Sequence, residues 1–284
     1  MKLIQPSVEL YPQENYTLED IYKQIEKCAR VSYKSEDKIT DTSSKTFVDN
    51  LIKAGHYAPL EFGTIYLNVF PEDDFGEEVI RFFFDNPYSR YQRIMQGNIG
   101  YVITTNLRVI VENHLEEAMK YLCKPTEYHH KRYCVKFITD IGTAREFTRH
   151  RVFSFMQEST RYCNYSKNKF GNEIICIEPY WIEDAREFQN SEAYSNAYER
   201  LYSACEEAEG AYFDLLEEGF KPQEARQLLP LATKTELVMC GFEDDWKHFF
   251  DLRLRGTTGA PHPDAKQLAQ IAWDLFKDNY KIEL

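Results

Sequence analysis

Arg149-His150-Arg151-Val152-Phe153-Ser154-Phe155-Met156-Gln157-Glu158-Ser159-Thr160-Arg161-Tyr162 sets three arginines and a histidine among hydroxyl and amide groups within fourteen residues. The chain around it is acidic, with 34 Lys and Arg against 46 Asp and Glu and a formal net charge of -12. Such a bulk field repels polyanions, which argues against a nucleic-acid binder and favours a dedicated site for a small phosphorylated ligand. A solvated helix face paired with acidic neighbours is the competing reading of the same residues.

Outward from that stretch, 284 residues with 43% hydrophobic content, 19 Phe and 20 Tyr can bury a sizeable core, and we read 1–284 as one domain. No apolar run reaches the ~18 residues of a membrane span, and Met1-Lys2-Leu3-Ile4-Gln5-Pro6 has no signal-peptide pattern, so a soluble cytoplasmic protein is expected. Cysteines 28, 123, 134, 163, 176, 205 and 240 are scattered with no Cys-x-x-Cys pair; reduced core thiols and no metal are expected. His129-His130 reads as a surface loop pair, and His262 as a turn or cap residue.

The pattern is α+β. Thr17-Leu18-Glu19-Asp20 resembles a capping box opening a helix to about Val31, and Thr42 to Ser44 opens a second that ends at Gly55. Strands are expected at 63–70, 101–111, 133–139 and 174–177, where β-branched and aromatic residues concentrate. Helical spacing recurs at 74–85, 112–123, 143–152, 190–218, 222–229, 243–254 and 263–279, giving a long helical C-terminal half. A helix over 143–152 would set Arg145 and Arg149 on one face with His150 and Arg151 elsewhere, followed by a loop at 154–161.

Arg149-His150-Arg151, seven residues, then Ser159 resembles the Arg-His-Arg-x7-Ser signature of the flavin-dependent thymidylate synthases (ThyX). Ala29-Arg30-Val31-Ser32, Gly55 to Glu61, Glu224 to Pro230 and Phe249-Phe250-Asp251-Leu252-Arg253 fall in that family's order. The resemblance implies a ThyX-type fold, with a mixed or antiparallel sheet flanked by helices. It implies reductive methylation of dUMP to dTMP, with methylenetetrahydrofolate as carbon donor and FAD reduced by NADPH as hydride source. It implies a homotetramer with active sites shared between subunits.

Carried over by position, Arg149, His150 and Arg151 surround the flavin, with Ser32 and His56 on the flavin side and His248 as a cofactor ligand. Gln157, Glu158, Ser159, Arg161, Arg226 and Arg253 hold the nucleotide, so that flavin and nucleotide share one pocket. Methylation at C5 of uracil needs electron density there, supplied by a cysteine adding at C6 or by stabilising negative charge on the ring. The Pro-Cys-His segment of the cysteine-dependent synthases is missing, so Arg253 is the expected electrostatic catalyst, an arginine keeping its charge at working pH. Ser159 lacks an evident activating base and reads as a binding group.

Several positions depart from the family pattern. The stretch at about 66–132 is longer than in compact members and reads as an inserted lobe. Met156-Gln157 stands where Asn-Glu is common, and Glu146 where Gln is. Phe242, Asp244 and His248 replace Asn, Arg and Asn on the cofactor's adenosine side, leaving Lys247, His248 or Arg255 as substitutes. A nucleotide-binding regulatory module that has lost catalysis is the alternative function.

Overall fold

The structure, a computed structural model, describes residues 1–71, 74–96, 98–167, 170–182 and 192–282. Its centre is an antiparallel sheet in the order β2-β6-β9-β7, built from β2 (Ser7–Leu10), β6 (Arg132–Asp140), β7 (Ser154–Gln157) and β9 (Lys234–Phe242). Side chains alternate across the pleat. Val135, Phe137, Leu237 and Met239 therefore point one way, onto a core with Phe147, Trp246, Phe249, Phe250 and Phe276. Those aromatics come from α5 (Ile141–Phe147), α8 (Glu243–Phe250) and α9 (Pro263–Tyr280). Cys134, Val238 and Cys240 point the other way, against Cys28, Val31 and Phe62.

A second sheet, β3-β5-β4, comprises β3 (Thr64–Val69), β4 (Arg90–Gln96) and β5 (Asn98–Asn106). It has its own core, shared with α1 (Leu18–Arg30), α2 (Ser43–Lys53), α3 (Asp74–Asp85) and α4 (Leu107–Glu112). The Thr17 capping box forms with Asp20 as the reciprocal partner, and Gly55 takes φ +66° just beyond α2. A short parallel pair, β1 (Lys2–Ile4) with β8 (Ile175–Ile177), lies by α6 (Glu192–Glu217); the start of the expected 190–218 helix is outside the described residues.

Several local expectations change. The strand expected over 101–111 stops at Asn106, whose side chain accepts from Val109 N at 3.2 Å and starts α4. Of the helix expected at 112–123 only a 3₁₀ stretch at Glu116–Tyr121 forms. In place of one helix over 222–229 there is α7 (Pro222–Ala225), then a 3₁₀ turn at Arg226–Leu228. β9, the partner of both β6 and β7, runs through the mainly helical C-terminal half. Its Lys-Thr-Glu-Leu-Val-Met-Cys-Gly-Phe run is buried on both faces and so lacks polar-apolar alternation. Cys134 and Cys240 are register partners in β6 and β9 and form a disulfide, against the expectation of seven reduced thiols. His129 is buried rather than a surface residue, accepting from Thr126 N at 3.0 Å.

Candidate functional site

α5 begins with the Asp140 side chain accepting from Thr143 N at 2.7 Å and ends at Phe147, so the expected helix over 143–152 is cut short. Burial of aromatic surface decides this. The chain turns after Phe147, with His150 N donating to Phe147 O at 3.0 Å, and the turn sends His150 inward against Phe249, ring centroids 5.1 Å apart. Arg149 and Arg151 stay exposed. Residues 154–157, expected as loop, form β7 and pair with β9, after which Glu158 N donates to Glu236 O at 2.8 Å. Ser159 N donates to Ser32 O at 2.9 Å, binding the end of the signature to the turn after α1.

Two charge clusters result. In the first, buried Glu158 accepts from Lys234 Nζ at 2.9 Å, and Glu236 is paired with Lys234 at 2.7 Å, Lys34 at 2.6 Å and Lys136 at 3.2 Å. Burial alone would raise the Glu236 carboxyl, but Lys234 and Lys34 outweigh it and hold the pKa down to about 2. Lys136, Lys234 and Glu236 escaped sequence reading; a charge at every second position, as in Lys234-Thr235-Glu236, was the available signal.

The second cluster is Arg253, His150 and Glu146. Arg253 Nε donates to His150 Nε2 at 2.9 Å, Nη1 to Glu146 Oε2 at 3.0 Å and Nη2 to the Glu146 carbonyl at 2.6 Å. Burial first, then Arg253 and His248, push the His150 pKa down to about 4, so its Nε2 lone pair is free to accept at neutral pH. The expected helix over 243–254 gives way after Phe250 to one π turn, Asp251–Arg255, which carries Arg253. Gly256 closes it at φ +69°, where a Cβ would lie 2.9 Å from the Gly259 carbonyl oxygen. With three of five N–H donors used among the described residues, Arg253 keeps one on each terminal nitrogen.

The residues expected to share one pocket line two in this chain. A cavity of about 360 Å³ brings together Arg145, Gln157, Glu158, Ser159, Arg226 and Thr235. Arg226 Nη1 donates to Thr160 Oγ1 at 3.1 Å, and Gln157 Nε2 to Thr235 Oγ1 at 3.2 Å. A larger cavity, about 820 Å³, lies between the two sheets and is lined by Arg90, Arg108, Arg132 and Arg151 with Phe242 and Asp245. Arg253 and Arg161 line neither, Arg161 being exposed with its guanidinium over the Tyr162 ring. His56 is exposed after α2; His248 is exposed on α8, its ring 6.5 Å from that of His150. Lys247 and Arg255 are paired with Glu243 and Asp251 one turn away. Arg90, Arg108 and Arg132 were not singled out in the sequence; they come together only through the packing of the two sheets.

Residues 90–280 match the family model described as Thymidylate synthase complementing protein. The chain is 30% identical over 147 residues to a probable flavin-dependent thymidylate synthase of Paramecium bursaria Chlorella virus 1, covering 49% of this chain and 62% of that one. It is 28% identical over 152 residues to a flavin-dependent thymidylate synthase of Synechocystis, covering 51% and 66%, and 27% identical over 138 residues to one from Pyrococcus abyssi, covering 49% and 50%. The chain thus spans between half and two thirds of the length of these relatives. A solved structure of a UMP/dUMP methylase, PolB, from Streptomyces cacaoi bound with 5-Br dUMP aligns over 98% of this chain and 93% of that one at 17% identity and a TM-score of 0.46, too distant to add to the assignment.

Proposed function

Since the chain belongs to the thymidylate synthase complementing protein family, we propose that it is a flavin-dependent thymidylate synthase, a methyltransferase converting dUMP to dTMP. The observation that carries this reading is the 360 Å³ cavity, in which the end of the Arg-His-Arg-x7-Ser signature meets Arg226 and Arg145. Two guanidinium groups, a serine hydroxyl and an amide are suited to a phosphate and a polar ring. Gln157, Glu158, Ser159 and Arg226 are assigned to the nucleotide there; Arg161, exposed outside that lining, is assigned to the nucleotide of a neighbouring subunit.

Arg253 is the electrostatic catalyst in this reading. Because Arg253 lines neither cavity within one chain, this role needs a neighbouring subunit to present the nucleotide to it; its two uncommitted N–H groups would then face the pyrimidine edge and stabilise negative charge on the ring, while His150 and Glu146 hold the guanidinium plane. Neutral His150 acts as an acceptor for Arg253 and therefore positions it. No cysteine lines either cavity among the described residues, which supports activation without a thiol nucleophile.

The larger cavity suits a phosphate-bearing cofactor, because Arg90, Arg132 and Arg151 line it and have no carboxylate within ion-pair distance among the described residues. Arg149, Arg151, Ser32, His56, His150 and His248 are assigned to FAD. When bound, FAD reduced by NADPH supplies the hydride, and methylenetetrahydrofolate supplies the carbon. A homotetramer would bring the exposed Arg149, His56 and Arg161 of one subunit towards the cavities of another.

We take 1–284 as one domain elaborated at about 66–132: that stretch supplies most of the second sheet, while its core is shared with α1 and α2, and the family match itself begins within the stretch, at Arg90. No helix among the described residues is long and apolar enough to cross a membrane. A cytoplasmic location is part of this reading, although the Cys134–Cys240 disulfide counts against it.

The test is anaerobic: protein loaded with FAD and reduced should be reoxidised on adding dUMP with methylenetetrahydrofolate, with dTMP formed. A protein that binds dUMP but takes up no FAD would overturn the synthase in favour of a regulatory nucleotide-binding module.

A further inference from the structure

Four arginines line the 820 Å³ cavity, and they are not equivalent. Arg108 is neutralised: Nη1 donates to Glu61 at 2.6 Å, and Nε and Nη2 to the two oxygens of Glu112 at 2.9 and 3.0 Å. Arg90, Arg132 and Arg151 have no carboxylate within ion-pair distance among the described residues. Arg90 donates to the carbonyls of Pro87 and Ser89 at 3.3 and 3.0 Å. Arg132 Nη1 donates to the Glu61 carbonyl at 3.1 Å and Thr64 Oγ1 at 3.3 Å, leaving its buried Nε without a partner. Arg132 Nη2 is also unbonded among the described residues and, unlike Nε, keeps accessible surface, so it is the edge that an acceptor in the cavity would meet.

Phe242 organises two of these groups. Its ring lies under the guanidinium carbons of Arg90 at 4.7 Å and Arg132 at 5.5 Å, in cation–π range. Arg132 is the register partner of Phe242 across the β6–β9 ladder, whereas Arg90 comes from the first residue of β4 in the other sheet. The aromatic ring therefore fixes one arginine from each sheet while leaving N–H edges available, and Arg151 approaches from the signature turn. The cavity is also of a size that takes a nucleotide-sized ligand.

We propose that Arg90, Arg132 and Arg151 form the binding site for the phosphate groups of an adenine dinucleotide, with Phe242 as the platform that holds the first two. The assignment rests on the flavoenzyme reading and gives the lobe at about 66–132 a task through Arg90. It also places phosphate recognition on residues other than Lys247 and Arg255, whose charges are already paired along their own helix.

The test measures equilibrium binding of FAD, riboflavin and ADP, with dUMP binding followed in parallel. Wild-type protein is expected to bind FAD at least about tenfold more tightly than riboflavin, and to bind ADP. Arg90→Ala and Arg151→Ala should each weaken FAD and ADP by about tenfold while leaving riboflavin and dUMP within about twofold. Arg132→Lys, which keeps a buried cation and so guards against misfolding, should weaken FAD by a similar factor with an unchanged melting temperature. Arg108→Ala is the comparison and should cost FAD less than about threefold. Equal affinity for FAD and riboflavin, or an Arg108 effect as large as that of Arg90, would overturn the assignment. Arg90-dependent ADP binding in a protein that takes no flavin would uphold the phosphate site and sink the synthase; flavin uptake indifferent to Arg90 and Arg151 would do the reverse.

Discussion

The Glu158–Glu236 cluster and the Arg253 cluster are built from the same kinds of side chain, yet one is closed and the other is open. Glu236 is met by three lysines and Glu158 by one of the same three, all of them largely buried. Arg253 is held by a neutral imidazole, one carboxylate oxygen and a carbonyl, and keeps two N–H groups in hand. A buried carboxylate surrounded by cations braces strands β6, β7 and β9, whereas a guanidinium fixed from one side is preorganised towards something still to bind. Charge alone does not mark a reactive centre; the number of donors left over does.

That contrast can be broken by substitution. Arg253→Ala should have the largest effect, lowering the rate of dTMP formation by at least about a hundredfold to a thousandfold, the cost of one preorganised charge-stabilising group. FAD uptake should persist, read from the flavin absorbance; retention of near-normal turnover would remove Arg253 from catalysis. Glu236→Ala should act on the fold instead, leaving Lys34, Lys136 and Lys234 crowded together and costing about 3–5 kcal/mol in urea unfolding. A loss below about 1 kcal/mol would show that the lysines relax into solvent and that the cluster is not a brace.

Acid separates the two clusters by window. His150 has its folded pKa lowered from 6.5 to about 4, so the unfolded chain binds the extra proton first and stability falls as pH drops from 6.5 to 4. At about 1.4 kcal/mol per pH unit of displacement, this loss is on the order of 3 kcal/mol. Glu236, lowered from 4.5 to about 2, stabilises the fold above pH 4.5 and gives that contribution up between 4.5 and 2. Denaturation across this range should show the first loss removed in His150→Phe and the second retained. The smallest effect is expected at Arg226: its exposed guanidinium donates one hydrogen bond of 3.1 Å, to Thr160, so Arg226→Ala should weaken dUMP binding by about tenfold without changing urea stability.

Much of this was legible in the residues. The spacing Arg149-His150-Arg151 to Ser159 pointed to the family, and the boundaries of α1 and α2 followed from Thr17 with Asp20 and from Gly55, because capping and left-handed turns are local chemistry. β9 was not legible, since a strand buried on both faces has no alternation to read. Nor was the end of α5 at Phe147, because the turn that follows serves the packing of His150 on Phe249, a residue about a hundred positions away.

The sequence by itself determined which chemistry is available: a guanidinium at 253, a serine at 159, no cysteine in the expected nucleophile context, and a phenylalanine and an aspartate at 242 and 244 in place of polar cofactor ligands. Only the tertiary structure decided how that chemistry is distributed. It split the signature between two cavities, spent three donors of Arg253 and spared two, and set Arg90 from one sheet beside Arg132 from the other on a single aromatic ring. Local sequence specifies groups and turns through short-range hydrogen bonds and sterics, whereas the surplus or deficit of partners around a charge depends on which distant strands and helices the burial of apolar surface brings together.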